Sequence, residues 1–427
     1  MGCSSGKAGD AASPGKPKAS RDAPAPAAET KPDEPSNGSS SNSAAVAKSK
    51  SGTEQAATEE AVPAVAPPAG KSEAKADSPK AAAAPPEKRS SGSVNLKAGL
   101  KRFTPGGKTK YDKVVSTTTA FIASRVLDKG WVAEHRDVAF FCKAPLAFFV
   151  AGCDDQAVNA LQVAAAWTEV GGSSSSREFY SVDYPQCPWL WICWAATQLS
   201  AKGVNKATNV ALADKCYRHL RTYSHPILAT GLVSAPFKKG KPCEADYFAT
   251  AILAKAAMLR QDIELADLAG DALLRALEAN RAAMSRGRFS LRWTWDAGFD
   301  NESTDPRLCI QQSAPNQLYF LLGFPAHVLL ELSSTKLEKA KKYRVAADSL
   351  LDFLKGCKYL FSEPSAHAVA GAAAVAKNKA MATKICDHLA SLQKPTGCFI
   401  DDSESAEAMD QACEISIWLS FVGADLM

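Results

Sequence analysis

The chain reads as an all-α protein, an (α/α)6 toroid of six helical hairpins behind a long N-terminal tail. Three observations predict this. Apolar runs begin near Arg136, Trp189, Asp246, Asn316, His367 and Gln411, roughly 45–70 residues apart, which is the spacing of a repeat architecture. A charged, amphipathic run follows each of them except the last. All 8 Trp lie beyond Gly130, whereas residues 1–92 contain no Phe, Tyr, Trp, Leu or Ile.

The tail comes first in chain order. Residues 1–92 are Ala, Pro, Ser, Lys, Glu and Gly, and hold 12 Lys/Arg against 11 Asp/Glu. Such a segment cannot bury enough apolar surface to offset chain entropy, so it is expected to be disordered. The folded domain is expected over 94–427. The tail begins Met1-Gly2-Cys3. Once Met1 is removed, Gly2 supplies the amine that accepts myristate, and Cys3 stands at the usual palmitoylation position; two acyl chains give stable anchoring where one does not. Gly6 departs from the Ser or Thr usual at that place. The expectation is a lipid-anchored protein on the cytoplasmic face of a membrane, and otherwise a cytoplasmic one. No run of 18 apolar residues is present. The 12 Cys show no paired CxxC spacing, and most sit in apolar helical contexts that read as a reducing compartment. The net charge of +5 comes without a basic stripe, which argues against nucleic acid.

The hairpins follow in order. The first inner run is 137–150, with Pro145 expected to kink it, paired with 156–170. The second is 189–199, paired with 210–223. The third is 246–259 with 265–280, the fourth 316–332 with 343–357, and the fifth 367–377 with 380–393. The sixth inner run, 411–424, lacks a following partner. Residues 111–129 are expected to serve instead, closing the ring by pairing the two chain ends. The inner runs are apolar on nearly all sides, as helices covered on both faces are. Arg288 to Trp295 reads as a short strand or hairpin arm.

Gln393, Gly397 and Phe399, followed by the run Asp410 to Trp418, resemble the Q-xxx-G-x-aromatic repeat of terpenoid cyclases and protein prenyltransferases. That resemblance implies an α/α toroid over about residues 110–427 and brings cyclase chemistry into view. The acidic D-x-D-D of class II cyclases is absent, and Asp401-Asp402-Ser403-Glu404-Ser405 is only a fragment of a D-D-x-x-D/E site. Asp410 and Cys413 stand one residue too far apart for the Asp-x-Cys zinc element. No metal and no cofactor are expected.

If the inner helices run in one direction, their N-termini gather at one end, and the residues just before them converge there. For proton transfer this selects Asp183, Glu244, Asp246, Asp296, His367 and Glu414. For the walls of a substrate site it selects Tyr180, Tyr184, Trp189, Trp293, Gln317 and Tyr319. Asp183, Asp246 and Asp410 equally suit helix capping. Trp189, Trp191 and Trp194 cannot all face one way at helical spacing. Lys143 is expected to snorkel or meet an anion.

The leading expectation is a terpenoid-cyclase-like toroid enzyme, doing acid–base lyase, isomerase or cyclase chemistry on a small or lipid-like substrate in a central cavity. The alternatives are a carbohydrate-active toroid (glycosidase, lyase or sugar 2-epimerase) and a non-catalytic, lipid-tethered binding or scaffold protein. The expected partners are a small molecule and a membrane.

Overall fold

The computed structural model describes residues 109–127, 138–169, 184–224, 244–294, 298–299, 302–335 and 337–426. The expected tail over 1–92, and with it Gly2 and Cys3, lies outside the described residues. So do Tyr180, Asp183 and Asp296.

Twelve α-helices occur among the described residues, alternating between an outer and an inner layer. They are α1 (Asp112–Val126), α2 (Ala144–Val150), α3 (Asp154–Glu169), α4 (Cys187–Ala201), α5 (Lys206–Arg221), α6 (Tyr247–Leu259), α7 (Ile263–Met284), α8 (Phe320–Ser333), α9 (Ala340–Lys355), α10 (His367–Val375), α11 (Lys379–Ser391) and α12 (Ala406–Leu426). The even-numbered helices form the inner layer. Each packs on its even-numbered neighbours, and α12 returns to α2, so the inner ring is closed. Each odd-numbered helix from α3 to α11 packs on the inner helix before it, and α1 packs on α12. The sixth hairpin is therefore made from the two ends of the chain, as the unpaired last run predicts.

Burial follows the apolar pattern. Every residue of α6 is buried, and α4, α8 and α10 are buried almost throughout. The outer helices bury one stripe: α9 hides Tyr343, Ala346, Ala347, Leu350, Leu351, Phe353 and Leu354. Asp262 and Asn378 cap α7 and α11 by accepting from the N–H of Leu265 (3.1 Å) and Met381 (3.2 Å).

The first inner run differs from the single kinked helix expected. A short 3-10 turn, Val138–Phe140, precedes α2, and Pro145 sits in the first turn of α2. There its missing N–H costs no intrahelical bond, so it starts a helix instead of bending one.

The Gln393-to-Phe399 segment closes the ring. The Gln393 side-chain amide donates to the carbonyl oxygen of Val114 and to Thr118 Oγ1, both at 2.7 Å, holding α1 against the turn before α12. Gly397 has φ +96°, and a Cβ there would press on the Thr117 carbonyl. Only glycine meets both demands. Tyr111 adds a hydrogen bond to Asp387 of α11 (3.1 Å).

The strands are short. β1 (Glu244–Asp246) pairs antiparallel with β3 (Arg292–Thr294), which pairs with β4 (Gly298–Phe299); β2 (Arg288–Ser290) pairs with β5 (Cys309–Gln311). The arm is fixed to the outer layer by the buried Asn280 of α7. Its amide exchanges hydrogen bonds with the backbone N–H (2.8 Å) and C=O (3.1 Å) of Ser290.

Aromatic rings from three of the inner helices meet one another. Trp191 stacks on Trp194 at 5.5 Å, Trp194 on Phe421 at 5.7 Å, and Phe421 meets Trp418 at 5.7 Å. Phe324 touches both Trp418 and Trp191. These side chains come from α4, α8 and α12, alternate members of a six-helix ring, so they meet only across its middle. At that level aromatic side chains from three alternate inner helices meet across the axis of the expected central cavity.

Candidate functional site

The inner helices do begin at a common end, and a continuous belt of side chains runs around it. Tyr184, just before α4, meets Phe248 of α6 edge to face at 5.1 Å. Phe248 meets Phe320 of α8 at 5.6 Å, and Phe320 stacks on His367 of α10 at 5.7 Å. His367 Nε2 lies 3.1 Å from Glu414 of α12. Glu414 is 3.0 Å from the Lys143 ammonium, which also holds Asp410 at 2.6 Å. Lys143, preceding α2, lies 5.8 Å from the Trp191 ring of α4 and completes the circuit. Half of the belt is charged and half is aromatic.

Asp246 stands inside the same constellation. It ends β1 directly opposite Arg292 of β3, so the two side chains share one face of the ribbon. Its Oδ1 caps α6 through the N–H of Ala249 at 2.8 Å, and its Oδ2 accepts from Arg292 Nε at 3.1 Å. The Arg292 guanidinium in turn lies 5.7 Å from the Tyr184 ring. The thiol of Cys187 lies within the fields of Lys143, Glu414, Asp410 and Asp246, which ties the two carboxylate groups to one locality.

Burial and partners set the electrostatics. Burial pushes the Asp246 carboxyl up to about 6, against the opposing pull of Arg292 and the Ala249 N–H. Burial also acts to raise Glu414, but Lys143 and then His367 outweigh it and hold that carboxyl at about 2. Burial raises the thiols of Cys142, Cys187 and Cys413 around Lys143, which keeps them protonated. No group of three or more His, Cys, Asp or Glu among the described residues is arranged to hold a metal ion.

The expected site residues divide. Asp246, His367, Glu414 and Tyr184 come together. Glu244 stands two residues before Asp246, half-buried, and its charge acts on Arg292. Trp293 is buried in β3 opposite Ala245. Trp189 faces the outer layer, stacked on His219 at 3.8 Å and beside Trp167 at 4.9 Å. The side chain at the axis is Trp191, two residues on. Tyr319 also faces outward, its hydroxyl within the fields of Cys357 and Glu363. Gln317 braces a turn, accepting from the Gln311 N–H at 2.8 Å and donating to the Pro315 carbonyl at 3.1 Å. Asp410 is not a cap; it lies in the second turn of α12 and pairs with Lys143.

Arg292 was not among the residues selected from the sequence, because its place opposite Asp246 depends on a strand register that only tertiary structure fixes. A second buried ionic group also escaped. Lys255 of α6 bonds both carboxylate oxygens of Glu331 of α8 (2.7 and 2.8 Å) and lies 4.0 Å from the Trp194 ring; His327 Nε2 is 3.5 Å from Glu331. The signal was present as three ionisable residues inside two otherwise apolar runs, with His327 and Glu331 at i, i+4 spacing.

Comparison with known proteins gives a fold-level likeness only. No protein-family model matches the chain, and no curated protein matches it. Among solved structures it is similar to a possible member of GH105 family from Salmonella enterica serovar Paratyphi A, at 10% identity and TM-score 0.49, over 75% of this chain and 96% of that one. It is also similar to a possible member of GH105 family from Klebsiella pneumoniae, at 11% identity and TM-score 0.45, over 76% and 93%.

Proposed function

We propose that the ring is a carbohydrate-active enzyme of the acid–base kind (a glycosidase, lyase or sugar epimerase), working at the end where the inner helices begin. The division of the belt into a charged arc and an aromatic arc carries this reading. A sugar presents an apolar C–H face and a rim of hydroxyls, and a mouth with both kinds of wall suits it. Two carboxyls displaced in opposite directions suit separate acid and base roles. Asp246, near 6, retains a proton in part of the molecules close to neutrality and is the donor. Glu414, near 2, stays ionised. In glycoside cleavage the donor proton goes to the leaving oxygen as the C–O bond breaks and its electron pair moves to that oxygen. The ionised carboxylate faces the positive charge left on the sugar. A lyase or epimerase would use Glu414 to remove a C–H proton and Asp246 to supply one. A lipid-like substrate fits less well, because Trp191, Trp194, Phe324, Trp418 and Phe421 already occupy the apolar axis.

The test is turnover by the purified full chain on a panel of polysaccharides and chromogenic glycosides, with Asp246→Asn and Glu414→Gln as controls. Turnover that both substitutions abolish is the expected result. A folded wild-type protein with neither turnover nor saccharide binding would refute the reading. A second reading, a non-catalytic ring, is favoured by the cation beside each of Asp246, Asp410 and Glu414. Saccharide binding without turnover would select it.

Acylation at Gly2 and Cys3 would place this activity at the cytoplasmic face of a membrane. Gly2→Ala should then move tagged full-length protein from the membrane pellet to the supernatant, and Cys3→Ser should weaken retention. Unchanged pelleting of Gly2→Ala would remove the lipid address.

A further inference from the structure

A groove of ≈ 420 Å³ lies away from the belt, at the seam where the chain's two ends meet. Val115, Ser116, Ala120 and Ala123 of α1 form one wall, and Cys153 and Gln156 at the start of α3 form the other. The ends of α2 and α12 complete the lining. Its chemistry is mixed. Ser116 and Gln156 can donate as well as accept hydrogen bonds, and alanine and valine methyls lie among them. The charges at one end have both signs: Asp112 stands beside Lys113, and Asp154 and Asp155 stand near Lys202, which Asp154 binds. Such a lining selects no small ion. It suits a stretch of polypeptide, whose backbone offers donors and acceptors together and whose apolar side chains gain from cover.

The chain itself supplies one. Thr109, the first described residue, is part of the lining, so the residues before it arrive at the groove's rim. The only Leu, Ile, Phe, Tyr or Trp residues ahead of Tyr111 are Leu96, Leu100 and Phe103. They stand at i, i+4 and i+7, which puts them on one face at helical spacing, with Lys97, Lys101 and Arg102 off that face. Ser116, Ala120 and Ala123 repeat the spacing on α1 with small side chains, which leave room for large ones. Pro105, Gly106 and Gly107 lie between Phe103 and Thr109, turn-forming residues that let the chain double back along α1. Phe103 stands six residues before Thr109, a reach of at most about 20 Å. We propose that the groove seats this lead-in, residues 94–103, with Leu100 and Phe103 inside it. Tethering gives the segment an effective concentration of about 1 mM, so a sequence that binds at about 0.1 mM as a free peptide is seated in about nine molecules of ten.

Cys153 provides the readout, since it lines the groove and is the only one of the ten described cysteines that is not buried. Iodoacetamide alkylation of Cys153 in the full chain is followed by peptide mass spectrometry. Phe103→Asp should speed it roughly tenfold, and Leu100→Asp should speed it as well, with the melting transition of the ring kept in both. Where one variant fails to fold, the other carries the test. A synthetic peptide of residues 93–108, added at about 1 mM, should return either variant to the wild-type rate. The same peptide carrying Phe103→Asp should not. Equal rates in the wild type and the variants would overturn the proposal. So would protection that grows with protein concentration, which puts a second copy in the groove. Protection restored by sodium myristate and not by the peptide would assign the groove to an acyl chain and overturn it too.

Discussion

Where the inner helices begin, one buried lysine, Lys143, faces two carboxylates, Asp410 and Glu414, and a histidine closes the group. On two other inner helices, α6 and α8, Lys255 faces one carboxylate, Glu331, and bonds both of its oxygens. The second group is balanced, one cation for one anion. Its carboxylate is partly wet: the Glu331 side chain is 22% exposed against 8% for Glu414. The first group is drier: Asp410 and Glu414 share Lys143, His367 adds to Glu414, and the neighbouring Asp246, near 6, has its own cation in Arg292. A balanced pair neutralises itself and has little left to exchange with a ligand. In the drier group, removing the one ammonium uncovers two anions, where removing Lys255 uncovers one.

The sharpest way to break this comparison is to remove each lysine. Lys143→Met leaves two buried carboxylates uncompensated and should cost about 3–5 kcal/mol by chemical denaturation. Lys255→Met should cost about 1–2 kcal/mol, because water reaches Glu331 and screens it. Equal losses would erase the difference between the two groups.

The pH dependence should differ in sign as well. Asp246 has a raised folded pKa, so its contribution to stability is present below its unfolded value and is lost as pH rises through about 6. Asp246→Asn should flatten that loss, on the order of 2 kcal/mol between pH 4 and pH 7. Unfolding transitions measured across that range give the answer, and an unchanged slope would mean the proton is not held there.

The smallest effect belongs to Glu331. Burial works against its ionisation, but Lys255 and His327 hold it at about 2. Its contribution is present above its unfolded pKa and is lost as pH falls toward 2. Glu331→Gln should remove part of the acid limb, about 1 kcal/mol after allowance for its exposure, with the change confined to pH below about 5.5, where the unfolded carboxyl begins to take up its proton. An effect above about pH 5.5 would show that the two groups are coupled.

Much of the ring was legible in the sequence. The apolar runs, their amphipathic partners and the unpaired sixth run led to a closed toroid, and Asp246, Tyr184, His367 and Glu414 do share one end. Facing was harder to read. A helix such as α4, buried all round, has no apolar stripe, so its periodicity does not say whether Trp189 or Trp191 looks toward the axis. The sequence puts Gln317 and Tyr319 at the mouth as the first residues of a run expected to start at Asn316. The helix starts at Phe320, and the residues before it fold into a turn with Asn316 at φ 55°. Arg292 depended on strand register, and Pro145 on where a helix starts, neither of which composition encodes.

The Gln393 and Gly397 junction has a consequence for the chain as it is made. Gln393 grips residues 275 and 279 positions earlier. During synthesis α1 therefore emerges long before α12 can cover its inner stripe of Val115, Phe121, Ile122 and Val126. The ring is a clasp whose two halves leave the ribosome up to 279 residues apart. Contacts of such sequence separation form late and slowly. Until α12 arrives, the nascent protein carries an open apolar edge, and the cell must shield it or tolerate the exposure.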